Sequence, residues 1–332
     1  MVDKILTDWQ KNKFKNIYWL EGEEEYFIDQ IIDYAESKLL QPAEAEFNLT
    51  VFYGRDAAWN DVINTCRKYP MFSERQVVIL KEGQQMKDID KLLAYVEKPL
   101  SSTILVVSYK GKKYDGKTKF AKSLKLYAEV FTTKKLYDNQ LPSWVSAMAI
   151  SRGYSLNQKA LMLLVDHIGN DLSRIANELD KVIINLGDQK IITEDHIEQF
   201  VGVSKEYNIF ELQDALGKKD LAKAIRIIQY FESNPKAGPM TLLLGTMYNF
   251  FSKIYTIFGM NDKSEKALLP VFYFNQIAVK QALATAMNYD FNGIEKAIML
   301  LHEYNLKNIG IRNSGTPEAS LLKELAYKIV HM

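Results

Sequence analysis

Residues 16–40, NIYWLEGEEEYFIDQIIDYAESKLL, change character at Gly22. Before the glycine, NIYWLEG is an apolar run of strand length. After it, Phe27, Ile28, Ile31, Ile32 and Ala35 recur at helical spacing. The pattern then repeats. Strand-like runs follow at FNLTVFYG (47–54), RQVVILKEG (75–83), STILVVSY (102–109) and AEVFTTKK (128–135). Helical patterns lie between them: AAWNDVINTCRKYP, KDIDKLLAYVEK and KTKFAKSLKLY. Five strands alternating with helices predict a mostly parallel sheet covered on both faces, an α/β domain over residues 1–135.

From Leu136 the strands are expected to stop. Residues 136–204 read as a small helical domain of four short helices, with Asn170-Asp171 and Thr193-Glu194-Asp195 as plausible N-caps. Residues 205–332 read as a helical bundle. Met240, Leu243, Leu244, Met247, Phe251 and Ile254 form one apolar stripe, and Leu321, Leu322, Leu325 and Ile329 form the last.

Composition bounds the function. A chain of 332 residues is too long for one core, and 47% hydrophobic content is ample for two or three. The net charge of +1 leaves any contact with nucleic acid to a local patch. Cys66, the single cysteine, cannot form an internal disulfide. The opening MVDKILTDWQKNKF lacks the apolar core of a signal peptide, and TILVVSY is too short to cross a bilayer, so a cytoplasmic, membrane-free chain is expected. His167, His196, His302 and His331 are scattered without ligand spacing, so no metal is expected, and His167 reads as a packing residue.

A nucleotide site is the first chemistry to test in such a sheet. GKKYDGKT, with Gly111, Gly116, Lys117 and Thr118 in the key places, spells a phosphate-binding loop between a strand and a helix. Its companions are missing. The following strand ends in lysines, where a magnesium-binding acid would be needed. The loop also follows the fourth strand, while the first is followed by GEEEYFID, whose glutamates would repel a triphosphate. The residues favour a lysine-rich surface turn that decoys the pattern. No catalytic residue and no cofactor are expected.

Taken together, YWLEGEEEYFIDQ, YPMFSERQVVIL, LLAYVEKPLSSTILVVSYKGKKYDGKTKFAKSLK, GNDLSRIANELDKV and NIFELQDALGKKDLAKA resemble, in order and spacing, the delta subunit of the bacterial DNA polymerase III clamp loader. The resemblance spans essentially the whole chain. It implies an ATPase-like α/β module without a working nucleotide site, a helical lid domain and a helical collar domain. It also implies a role in DNA replication, opening the sliding clamp without hydrolysing ATP. The implied partners are the sliding clamp, the ATPase and delta-prime subunits, and primer-template DNA within the complex.

The resemblance also changes the reading of Pro70, Met71 and Phe72. By their residue types alone, Met71 and Phe72 are core residues behind a helix-ending proline. By resemblance, they are the apolar wedge that enters a pocket on the clamp, with Pro70 aiming them outward. A weaker role concerns the seven lysines of residues 110–125. Lys110, Lys112, Lys113, Lys117, Lys119, Lys122 and Lys125 stand against one acid, Asp115, and either contact DNA phosphates or form a solvated basic face. Arg174 sits where related ATPases sense nucleotide, and here reads as a surface ion pair. Two rivals stay open: an independent P-loop ATPase using residues 111–118, and a lone DNA-binding protein using the lysines.

Overall fold

The computed structural model describes residues 2–204, 206–272, 275–313 and 315–332, and the chain divides into two compact units, residues 1–137 and 138–332. In the first unit, β1 (Ile17–Gly22), β2 (Leu49–Tyr53), β3 (Gln76–Lys81), β4 (Thr103–Lys110) and β5 (Glu129–Thr133) form one sheet in the order β2-β3-β4-β1-β5. Every pairing is parallel, so the sheet matches the expected α/β class.

The alternation of strand side chains explains why both faces need cover. Tyr18 and Leu20 of β1 point into a core with Ile5 and Trp9 of α1 (Val2–Gln10) and Ile28, Ile31 and Ile32 of α2 (Glu25–Lys38). Ile17 and Trp19 point the other way. They meet Val62 and Ile63 of α4 (Trp59–Cys66), Val96 of α5 (Leu93–Val96), and Phe120 and Leu124 of α6 (Lys119–Tyr127). Each fully buried side chain of this size contributes roughly 1.5–3 kcal/mol. At the end of β1 the chain passes so close to β5 that a Cβ on Gly22 would sit 2.2 Å from the Thr133 carbonyl oxygen, so glycine is required there.

Several elements differ from the sequence reading. The helices α1 and α3 (Pro42–Asn48) were not expected, and Phe47 and Asn48 belong to α3, not to the following strand. KDIDKLLAYVEK is a 3₁₀ turn, Ile89–Leu92, followed by the single turn of α5. Asp88, with φ of 54°, lies in the left-handed region directly before that turn, so a longer helix cannot extend back through it.

In the second unit, α7 (Leu141–Ser151), α8 (Gln158–Ile168), α9 (Leu172–Asn185) and α10 (Glu194–Val201) come first. Here one expectation is corrected: β6 (Ser155–Leu156) and β7 (Ile191–Ile192) pair in parallel. Two-residue strands are too short to leave a period-two pattern in the sequence. The caps are local and legible. Asp171 Oδ1 accepts from the Arg174 amide at 2.9 Å, and Thr193 forms a capping box with His196.

The remaining helices are α11 (Ile209–Gly217), α12 (Leu221–Ser233), α13 (Met240–Gly259), α14 (Glu265–Leu268), α15 (Gln276–Asn288), α16 (Phe291–Asn308) and α17 (Glu318–Val330). They share one core that buries both apolar stripes named above. Among the described residues no helix is long and apolar enough to cross a membrane, and no group of His, Cys, Asp or Glu is placed to hold a metal. Cys66 is buried, and burial pushes its thiol up to about 12, which leaves it an inert packing residue.

Candidate functional site

Residues 67–75 join α4 to β3 and carry the apolar tip. Phe72 is 96% exposed and Met71 54% exposed, while Pro70 behind them is half-buried. The reading of Met71 and Phe72 as core residues is therefore wrong. Apolar side chains at this density are normally withdrawn from water, and here nothing of the first unit covers them.

The loop is held at its base and near its tip. At the base, the buried Gln76 side chain donates to the Thr65 and Lys68 carbonyls and to Thr103 Oγ1, and Thr103 in turn donates to the Cys66 carbonyl at 2.9 Å. These bonds take up carbonyls left open at the end of α4. Near the tip, Asn48 Oδ1 accepts from the Met71 amide at 2.7 Å, and Asn48 Nδ2 donates to the Met71 carbonyl at 2.9 Å. Ser73 Oγ donates to Glu44 Oε1 at 2.9 Å. Asn48 and Glu44 both belong to α3, the helix missed in the sequence. Its signal was present as QPAE, residues 41–44. Pro42 takes the first helical position and Glu44 reaches back to the Gln41 amide in a capping box.

A second region lies at the C-terminal ends of β1, β3 and β4. In doubly wound sheets, ligands bind in the crevice where the connections of neighbouring strands diverge. Here β1 and β4 are neighbours whose following connections lead to opposite edges of the sheet. The protein's own charges meet there. Lys110 Nζ lies 2.7 Å from Asp29 Oδ1 and 3.1 Å from Glu82 Oε1. Burial alone would lower the Lys110 pKa, but the bonds to Asp29 and Glu82 prevail and hold it above the usual lysine range. The Glu21 carboxylate accepts from Trp19 Nε1 at 2.9 Å and from the Tyr114 amide at 3.0 Å.

Tyr114 is the fourth residue of GKKYDGKT, so this loop directs a backbone N–H at an internal carboxylate. The rest of the loop is also committed. Asp115 Oδ1 accepts from the Lys117 amide at 3.0 Å, and Thr118 Oγ1 caps α6 by accepting from the Ala121 amide at 3.1 Å. A phosphate-binding loop uses those amides for the phosphate and that hydroxyl for magnesium.

The lysines divide. Lys112, Lys113, Lys117, Lys122 and Lys125 are exposed. Lys119 is exposed too, but lies 3.4 Å from Glu97. Lys110 is occupied by Asp29 and Glu82, which corrects its grouping with the phosphate-facing lysines. In the second unit, Arg174 is exposed and forms no ion pair among the described residues, contrary to the sequence reading; its charge is felt at His167.

The family model for DNA polymerase III, delta subunit, matches residues 18–134. That segment contains the tip, the crevice and the lysines. Over 296 residues the chain is 24% identical to DNA polymerase III subunit delta of Bacillus subtilis (strain 168), covering 85% of each chain. The chain, and residues 18–134 above all, is thus similar to the DNA polymerase III delta subunit. A probable delta subunit of Aquifex aeolicus (strain VF5) is 23% identical over 272 residues, 78% of this chain and 75% of that one. The solved Bacillus subtilis DNA clamp loader delta protein aligns over the whole of both chains with a TM-score of 0.56 and 20% identity, so the delta-subunit fold extends through the helical second unit.

Proposed function

We propose that the chain binds the sliding clamp through Met71 and Phe72 and opens it without hydrolysing ATP. The observation that carries this reading is the near-complete exposure of Phe72 beside Met71 on a loop pinned from α3 and β3. Phenylalanine supplies a large rigid anchor, and methionine adapts to an irregular pocket. Full burial of each contributes roughly 1.5–3 kcal/mol, so the pair can dominate an interface. A subunit that binds the distorted clamp interface better than the closed one shifts the ring toward its open form.

Titrating the purified chain against a sliding clamp tests this. Met71→Ala combined with Phe72→Ala is expected to weaken binding by at least about 100-fold, from about 3 kcal/mol of lost burial, with the melting temperature nearly unchanged. Unchanged affinity, or a large loss of stability, would overturn the reading.

The remaining partners follow the same proposal. The ATPase and delta-prime subunits join through the collar, and the exposed lysines 112, 113, 117, 122 and 125 contact primer-template DNA non-specifically. Residues 136–204 then serve as lid and residues 205–332 as collar, in a cytoplasmic complex. Against an independent ATPase at residues 111–118 stands the engagement of Tyr114, Lys117 and Thr118 within the protein itself.

A further inference from the structure

We infer that Asn48, assisted by Glu44, is a positioning residue for the docking tip: α3 holds Met71 and Phe72 in their outward conformation before any partner arrives. The inference rests on the clamp-binding reading of those two residues. Phe72 has φ of +54°, a left-handed backbone conformation that bulky L side chains rarely adopt. With its side chain almost wholly in water, no packing of the ring enforces that conformation. The enforcement comes from the residues on either side. Asn48 is 3% exposed and meets both backbone polar groups of Met71, as a neighbouring strand would. It also donates to the Glu44 carbonyl at 3.0 Å, so both of its amide protons and its oxygen are engaged. Beyond Phe72, the Ser73 hydroxyl is held by Glu44, itself fixed by its capping bond to the Gln41 amide.

A loop fixed in its binding conformation avoids an ordering penalty on association. If the tip were free to leave the outward state, the apparent dissociation constant would rise by the inverse of the fraction still competent. The partner contact would involve Asn48 only through this effect, since its side chain is sealed under the loop.

The test uses the full chain and a purified sliding clamp, with amide hydrogen exchange as the second readout. Asn48→Leu, similar in size but without hydrogen-bonding groups, is expected to weaken clamp binding about tenfold and to speed exchange at the Met71 amide. Exchange along Val77, Val78, Ile79 and Leu80 should stay as in the parent. Asn48→Asp keeps the acceptor for the Met71 amide and should recover part of the affinity. In the Met71→Ala, Phe72→Ala background, Asn48→Leu should have no further effect. Parental affinity in Asn48→Leu despite faster Met71 exchange overturns the positioning role. Loss of Met71 and Phe72 without loss of binding overturns the underlying reading instead. Should Asn48→Leu disturb the sheet, Ser73→Ala decides: about threefold weaker binding with an intact core supports the inference, and unchanged binding overturns it.

Discussion

At Phe72 the requirements of stability and of the proposed docking pull in opposite directions. The residue pays a left-handed backbone cost of roughly 1–2 kcal/mol and recovers almost nothing by burial. Glycine adopts that backbone freely, though it adds about 0.5–1 kcal/mol of unfolded-chain entropy. Phe72→Gly is therefore expected to leave stability unchanged or raise it by up to about 1.5 kcal/mol, while removing the proposed anchor. Thermal melting and clamp titration of the same variant check this; a clear drop in melting temperature would mean that the ring packs against the protein. The residue also marks what sequence can tell. Residue types give apolarity but not direction, so Met71 and Phe72 on their own terms read as core and only the family likeness turned them outward. Asn48 left no signal at all, since its partner lies 23 positions away.

Among elements, β1, β3 and β4 were legible because each is a largely apolar run buried on both faces. The short helices were not: α3 has seven residues and α5 four, too few to display a helical period. Helix α8 illustrates a subtler limit. Its apolar pattern reads His167 as a packing residue, and the side chain is half-buried, but the pattern does not give its electrostatics. Burial, and then the neighbouring Arg174 guanidinium, hold the His167 pKa below its usual value of 6.5, against the opposing pull of Glu178. The folded state thus favours the neutral ring, and the unfolded chain takes up a proton at higher pH than the folded one. The stability this provides is fully present above about pH 6.5 and is lost as the pH falls toward the lowered folded value. Unfolding free energies measured between pH 7.5 and 5, about 1.36 kcal/mol per pH unit at most from one group, should decline in the parent and decline less in His167→Gln. Equal slopes in the two proteins would remove His167 from the account.

Over the whole molecule, the fold class follows from the alternation of strands and helices, whereas the fate of the crevice does not. The run KGKKYDGKT shows seven polar or charged side chains and no hint of which are engaged within the protein. Only the parallel pairing of β1 with β4 brings Glu21 to the Tyr114 amide, and only the packing of α2 brings Asp29 to Lys110. The partly exposed ion pairs of Lys110 with Asp29 and Glu82, and the Glu21 carboxylate on the Tyr114 amide, compete with any phosphate for these groups. That predicts a chain indifferent to nucleotide. A ligand present at 100 times its dissociation constant stabilises a protein by about 2.7 kcal/mol, enough to raise the melting temperature of a unit of this size by several degrees. Millimolar Mg-ATP should instead leave the melting temperature of the full chain where it was, and Lys117→Ala should behave as the parent. A saturable rise with Mg-ATP that disappears in Lys117→Ala would show that residues 111–118 can release their internal partners and cradle a phosphate. The proposed clamp opening would then have to be assigned to a nucleotide-responsive subunit, and the fixed, outward tip would no longer suffice to explain it.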